Sequence, residues 1–232
     1  MKDLIAYLGN STTDERYQKL IGLLQECGAD FYTQMNDPFN AFFAVKNIII
    51  PAREQVNKIV LCAHYDVVYG SSGYLDNTSA IVLVLSILPD LLKHDNVEII
   101  FSDREEQGGT GASHYCNMSK TVPRLVVNLD IIGHGEVLYY CRYNVHSTIL
   151  EKLNEKCIEQ NYPFCDFNIF RMNQFPCVSI ISAPSGPFQA ALTADYTCMH
   201  RGKFDGDMDK IDINTLERTQ IVLLELLEFM NS

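Results

Sequence analysis

The sequence of 232 residues lacks the features that mark several common classes of protein. It has no apolar run of the ~20 residues that a transmembrane helix needs. Its N-terminus has no basic start followed by a long apolar stretch, so we expect no signal peptide. Its eight cysteines include no Cys-x-x-Cys pair, and a chain of this size does not need a disulfide framework. We therefore expect reduced thiols, no membrane partner and a cytoplasmic location.

Basic residues are also scarce, since 18 Lys and Arg stand against 29 Asp and Glu for a net charge of −11. Nucleic acid binding needs a basic face, so this charge argues against a nucleic acid partner. The sequence has no long polar or charged tract of the kind typical of disordered segments, and we see no linker that divides the chain. We expect one domain over residues 1–232. The sequence predicts no particular oligomeric state, although segment 41–50 is apolar enough to need covering at a sheet edge.

Apolar runs typical of strands alternate with segments that have a helical period. This alternation predicts an α/β fold of three layers, in which a mostly parallel central sheet carries helices on both faces. The few polar residues between 41–50 and 58–63 indicate that these two strands form an antiparallel pair. We predict helices over 12–28, 79–92, 145–160 and 213–229, with another beginning at 111, and strands over 41–50, 58–63, 97–102, 124–132, 137–141 and 177–181.

Acidic and histidine side chains follow the predicted strands. His64 follows strand 58–63, Glu106 follows strand 97–102, and Asp130 follows the run 124–129. Asp76 precedes the apolar helix 79–92, and His200 follows the last strand. Each residue alone is weak evidence, because an Asp before a helix is usually an N-cap. Together they converge on the carboxyl edge of the sheet, where ligands bind in such folds, and mixed imidazole and carboxylate ligands suit zinc.

The chain resembles the dinuclear-zinc aminopeptidases, a family that includes secreted bacterial leucine aminopeptidases and has glutaminyl cyclase as a relative. The resemblance runs in order over about residues 58–212. Related carboxypeptidases carry an inserted lid domain, for which this chain has no room. The motifs that carry the resemblance are His64-x-Asp66, Asp76-Asn77 before a helix, Glu105-Glu106 with the glycine-rich 108–112 after it, Asn128 to Gly133, and the late His200.

The resemblance implies a role for each of these residues. Asp66 corresponds to the carboxylate that orients the imidazole of His64, and Asp76 to a carboxylate that bridges two metals. The family often joins an Asp-Asp pair by a cis peptide where this chain has Asp76-Asn77. Glu105 corresponds to the general base that works with a metal-activated water. The implied cofactor is two zinc ions per chain, with manganese or cobalt also possible, and the implied ligands are His64, Asp76, Glu106, Asp130 and His200.

The resemblance implies removal of N-terminal residues from peptides, and three alternatives stay open. The same scaffold supports acyl transfer of the glutaminyl cyclase type, and it supports hydrolysis of a small-molecule amide. A non-catalytic module that binds peptide is less favoured, because Glu105 and all five ligands are present. The sequence has no serine or cysteine nucleophile motif, and residues 108–111 lack the lysine of a phosphate-binding loop.

Overall fold

The structure is a computed structural model that describes residues 1–37, 44–161, 166–185 and 208–232. Within these ranges the chain forms eight strands, eight α-helices, a π-helical turn at Tyr74–Thr78 and a 3-10 turn at Met208–Lys210. The helices are α1 Lys2–Leu8, α2 Thr13–Glu26, α3 Ser79–Ser86, α4 Leu88–Leu91, α5 Thr110–Met118, α6 Ser147–Asn154, α7 Asp166–Met172 and α8 Ile213–Asn231. The strands are β1 Tyr32–Met35, β2 Lys46–Ile50, β3 Ile59–His64, β4 Val97–Ser102, β5 Leu125–Leu129, β6 Val137–Tyr143, β7 Ile158–Glu159 and β8 Cys177–Ala183.

All eight strands join one sheet in the order β1-β2-β4-β3-β5-β8-β6-β7. Its four central strands, β4, β3, β5 and β8, are parallel to one another. On one side β2 runs antiparallel to β4, and β1 runs antiparallel to β2. On the other side β6 runs antiparallel to β8, and β7 runs parallel to β6. The predicted α/β class with a mostly parallel sheet is confirmed. The carboxyl ends of the four central strands therefore meet at one edge.

Side chains of β3 show how the sheet separates two cores. Ile59 and Leu61 belong to a large core with residues of α1, α2, α3, α4, α6 and α8. Val60 and Cys62 belong to a second core with residues of α5 and α7, such as Tyr115 and Phe170. This alternation is the period of two that a strand imposes when both its faces are buried. Helices cover both faces of the sheet, as predicted for three layers.

The predicted antiparallel pairing of segments 41–50 and 58–63 is wrong. Strand β4 lies between β2 and β3, antiparallel to the first and parallel to the second. Every residue of β4 is buried, and a strand this apolar is stabilised by a neighbour on each side. Strand β1, which we did not predict, covers the other side of β2. The described part of segment 41–50 is therefore not an edge strand.

Two helices are shorter than predicted. The apolar run 79–92 divides into α3 and α4 at Ile87, and Pro89 lies in the first turn of α4. Proline lacks the amide N–H that a continuous helix would use, but it fits the first turn of a new one. Segment 145–160 forms α6 only at Ser147–Asn154, and Ile158–Glu159 pairs with β6 as β7. Among the described residues, every helix is too short or too polar to span a lipid bilayer.

Candidate metal centre

His64 is the last residue of β3, and its side chain is 2% exposed. Nδ1 lies 3.3 Å from Oδ1 of Asp66 and 3.3 Å from the backbone oxygen of the same residue. Nε2 points the other way, 3.0 Å from Oδ1 of Asp76 and 3.6 Å from Oδ1 of Asp130. The carboxylate of Asp66 therefore orients the ring through Nδ1, while the carboxylates of Asp76 and Asp130 face Nε2, the nitrogen that could bind a metal ion.

Asp76 reaches the site from the π-helical turn that precedes α3. The peptide bond between Asp76 and Asn77 is cis, as the family resemblance implies. Asn77 is fully buried, and its Nδ2 donates a hydrogen bond of 2.9 Å to the backbone oxygen of Leu129. Leu129 ends β5 and directly precedes Asp130. This bond joins the turn that carries Asp76 to the strand that carries Asp130.

Glu105 and Glu106 lie in the turn between β4 and α5. The backbone N–H of Glu105 donates to Oδ1 of Asp66 at 3.0 Å, and that of Glu106 donates to Oδ2 at 3.1 Å. Both oxygens of Asp66 are therefore used to hold this acidic pair. The resemblance implied only the contact of Asp66 with the imidazole, because motif spacing carries no information about which amides a carboxylate meets.

The structure brings four of the five predicted ligands to one place. Ligand atoms of His64, Asp76 and Glu106 all lie within 4.8 Å of one another, in a group that could hold a metal ion. Asp130 faces the same nitrogen of His64. His64 Nε2 and Asp130 Oδ1 are buried without a hydrogen bond to any described residue, and such atoms need a partner. A nitrogen and several carboxylate oxygens are zinc ligands. The fifth predicted ligand, His200, lies outside the described residues.

The charges of this cluster also favour a cation. Burial raises the pKa of Glu105 and of Glu106 well above the usual range, and repulsion from Asp76 and Asp130 adds to the shift against the attraction of His64. Burial alone would lower the pKa of His64, but the carboxylates of Asp130, Asp66 and Asp76 around the ring raise it well above its ordinary value. So many carboxylates in one buried place repel one another, and a divalent cation among them would remove that repulsion.

One acidic residue near the site was missed. Asp166 begins α7 and is almost completely buried. Its Oδ2 accepts hydrogen bonds from Ser102 Oγ at 2.5 Å and from Cys62 Sγ at 3.7 Å, and burial raises its pKa to about 6. Ser102 pairs with His64 across β3 and β4, so Asp166 supports the strands beneath the imidazole. A search of strand ends does not find Asp166, because it follows no apolar strand.

Comparison with solved structures finds the same fold in other proteins. The fold matches a glutaminyl cyclase from Porphyromonas gingivalis with a TM-score of 0.76 at 17% identity, covering 98% of this chain and 96% of the other. It matches BSAP, a zinc aminopeptidase from Bacillus subtilis, with a TM-score of 0.60 at 19% identity, covering 79% and 49% of the two chains.

Sequence comparison identifies the family. A vacuolar membrane protease of Saccharomyces cerevisiae strain YJM789 is 30% identical over 146 residues, which are 56% of this chain. The chain spans only 15% of the length of that relative. The model of Peptidase family M28 matches residues 47–227, which include every predicted site residue. This chain belongs to peptidase family M28.

Proposed function

We propose that this chain is a zinc-dependent hydrolase that removes N-terminal residues from peptides. The observation that carries the proposal is the convergence of His64, Asp76 and Glu106, with ligand atoms within 4.8 Å of one another. Membership of a peptidase family supports peptide bonds as the substrate. The net charge of −11 supports the exclusion of nucleic acid.

We propose two metal ions per chain. His64, Asp76 and Asp130 would hold the first, and Asp76, Glu106 and His200 would hold the second, with Asp76 shared. Nε2 of His64 and Oδ1 of Asp130 are both buried without a hydrogen bond within the described part of the chain, which supports the first set. Zinc bound there would act as a Lewis acid toward the scissile carbonyl and lower the pKa of a water molecule. Manganese and cobalt accept the same ligand types.

Glu105 is the proposed general base. Asp66 fixes the backbone of Glu105, and burial raises the pKa of its carboxylate. A general base must be ionised before it takes up a proton, and cations held by the neighbouring ligands would favour the ionised form of Glu105. In the proposed reaction a Glu105 carboxylate oxygen accepts a proton from the attacking water, holds it, and delivers it to the nitrogen of the leaving amine. Asp66 holds the imidazole of His64 and the backbone of the acidic pair in fixed relation throughout.

A second candidate function is acyl transfer of the glutaminyl cyclase type, in which an amine of the substrate replaces water as the nucleophile. Fold similarity over 96% of the cyclase chain, against 49% of the aminopeptidase, favours keeping this candidate. Hydrolysis of a small amide is a third. The cytoplasmic location and the single domain over residues 1–232 also stay predictions. The six described cysteines, all free thiols, support a reducing compartment.

The test compares two reactions of the zinc-loaded protein. One assay measures release of the N-terminal residue from a panel of aminoacyl-anilides, and the other measures cyclisation of peptides that begin with glutamine. Chelator-sensitive release without cyclisation is the result we expect, and the preferred anilide would identify the side chain accepted. Cyclisation without release would favour the second candidate. If the protein catalysed neither reaction, that result would contradict the proposed activity. The metal centre would then still be tested separately by metal binding.

A further inference from the structure

An arginine occupies the buried face of α2. Arg16, Leu20 and Leu24 follow one another at intervals of four residues, which places them on one face of the helix. The two leucines belong to the large core, and the arginine is 0% exposed. A guanidinium stays charged, and its burial is costly unless hydrogen bonds satisfy it. Its partners therefore explain why an arginine stands where the helix pattern calls for an apolar residue.

The partners of Arg16 are backbone oxygens of the loop between β3 and the π-helical turn. Nη1 donates to the oxygen of Tyr65 at 3.2 Å. Nη2 donates to the oxygen of Ser72 at 3.4 Å and to that of Gly73 at 3.3 Å. Tyr65 begins the loop, and Gly73 ends it. The planar, forked guanidinium thus joins both ends of loop 65–73, which a single ammonium group could not do with the same geometry.

Both ends of this loop lie beside predicted metal ligands. Tyr65 directly follows His64, and Gly73 is the residue before the turn that carries Asp76. A Cβ atom added to Gly73 would lie 2.2 Å from Nη2 of Arg16, so the loop backbone rests directly on the guanidinium. Loop 65–73 thus connects His64 to the turn that carries Asp76, whose Oδ1 lies 3.0 Å from His64 Nε2, and Arg16 binds both ends of that loop.

The surrounding segment holds the same loop. The side-chain oxygen of Thr13 accepts a hydrogen bond from the backbone N–H of Val67 at 3.2 Å. The backbone N–H of Asn10 donates to the oxygen of Ser72 at 2.7 Å. A capping box between Thr12 and Glu15 fixes the start of α2. All these contacts come from residues 10–16, which precede the region that matches the family model.

We propose that Arg16 is a positioning residue of the metal centre. It acts on the metal through the loop and makes no contact with the ligand atoms itself. This inference rests on the proposed function, because it assumes that His64 and Asp76 bind a metal together. Without the guanidinium, the hydrogen bonds that join the two ends of loop 65–73 are lost, and the spacing of the two ligands is held less firmly before the ion binds.

The test measures zinc affinity, with zinc alone as the probe. The dissociation constant for zinc is measured by competition with a chromophoric chelator for the parent, Arg16→Met, Arg16→Lys and Leu24→Ala. Leu24 lies on the same helix face and is equally buried, so it controls for loss of packing. We expect zinc binding about 10–100-fold weaker in both Arg16 variants, as for other residues that orient ligands, and unchanged affinity in folded Leu24→Ala. If Arg16→Met does not fold, the zinc affinity of Arg16→Lys tests the inference.

Chemical rescue adds a readout that a packing role would not change. Guanidinium chloride, at concentrations far below those that unfold the protein, should restore zinc affinity to Arg16→Ala, whereas equal sodium chloride or urea should not. Folded Arg16 variants that bind zinc as tightly as the parent does, or a Leu24→Ala variant that loses as much zinc affinity as they do, would overturn this inference and leave the proposed function standing. A parent chain that binds no zinc would instead overturn the proposed function on which the inference rests.

Discussion

The carboxylate of Asp66 accepts a hydrogen bond from the backbone N–H of Glu106 at 3.1 Å. Its other oxygen accepts the N–H of Glu105, and the same residue contacts Nδ1 of His64. Asp66 thus fixes the end of β3 relative to the turn after β4. The proposed base and two proposed ligands depend on one buried carboxylate that does not itself face the cluster.

Replacing Asp66 with asparagine should weaken metal binding and turnover together. The amide NH₂ of asparagine would face one of the two backbone N–H groups as a second donor, so at least one hydrogen bond would be lost. We expect zinc affinity and kcat/KM to fall about 10–100-fold, the usual effect of losing a residue that orients a ligand. Chelator competition and anilide assays measure the two. Asp90→Asn, in α4 and with a side chain that is 47% exposed, is the control. Unchanged affinity and kcat/KM in Asp66→Asn would show that this contact is dispensable.

Glu105→Gln and Glu106→Ala should separate the base from the ligand. Glu105→Gln removes the proposed base and no proposed ligand, so turnover should fall about 10²–10⁴-fold while metal content is retained. Glu106→Ala removes a ligand, so metal content itself should fall. Metal content is measured by mass spectrometry on the same samples used for kinetics. An equal loss of metal in both variants would mean that the two roles are assigned wrongly.

Metal removal should lower thermal stability. A ligand that binds only the folded chain stabilises it by about 4 kcal/mol at a thousandfold excess over its dissociation constant. The repulsion among Asp76, Glu106 and Asp130 would return when the ion leaves. We expect Tm to fall in chelator and to recover when zinc is added. His64→Ala should show a much smaller response to the same chelator, and an equal response would place the stabilising ion elsewhere.

The buried ion pair between Lys58 and Glu98 should matter for stability and not for the metal. Lys58 Nζ lies 2.9 Å from Glu98 Oε1, and both side chains are buried. The hydroxyl of Tyr115 donates a hydrogen bond to the same oxygen of Glu98. Lys58→Met leaves a buried carboxylate without its cation, which should cost about 3–5 kcal/mol of unfolding free energy. Denaturant unfolding measures the cost, and zinc affinity should be unchanged. A Lys58→Met variant as stable as the parent would show that Tyr115 satisfies Glu98 alone.

The sequence predicts the parts of this molecule that short stretches of residues determine. Strands β3, β4, β5 and β8 are apolar runs buried on both faces, so their positions are visible without a structure. Their parallel alignment brings His64, the acidic turn and Asp130 to one edge. That convergence is what the strand ends predicted, and the described residues show it.

The rest depends on contacts between residues far apart in the chain. The insertion of β4 between β2 and β3 is decided by sheet packing, and the local polar residues that indicated a hairpin carry no information about it. Arg16 lies in line with Leu20 and Leu24 on the apolar face of its helix, but the helix pattern does not show that the carbonyl oxygens of loop 65–73 accept its hydrogen bonds. Asp166 joins the site through Ser102 and Cys62, which are distant in sequence.

The most direct test of the central claim is the metal content of the purified chain, measured by mass spectrometry after equilibration with zinc and removal of the unbound ion. The claim is that His64, Asp76, Glu106 and Asp130 form a metal centre. We predict two zinc ions per parent chain and a clear loss in His64→Ala. A parent chain without stoichiometric metal, or a His64→Ala variant that retains the full content, would contradict the account.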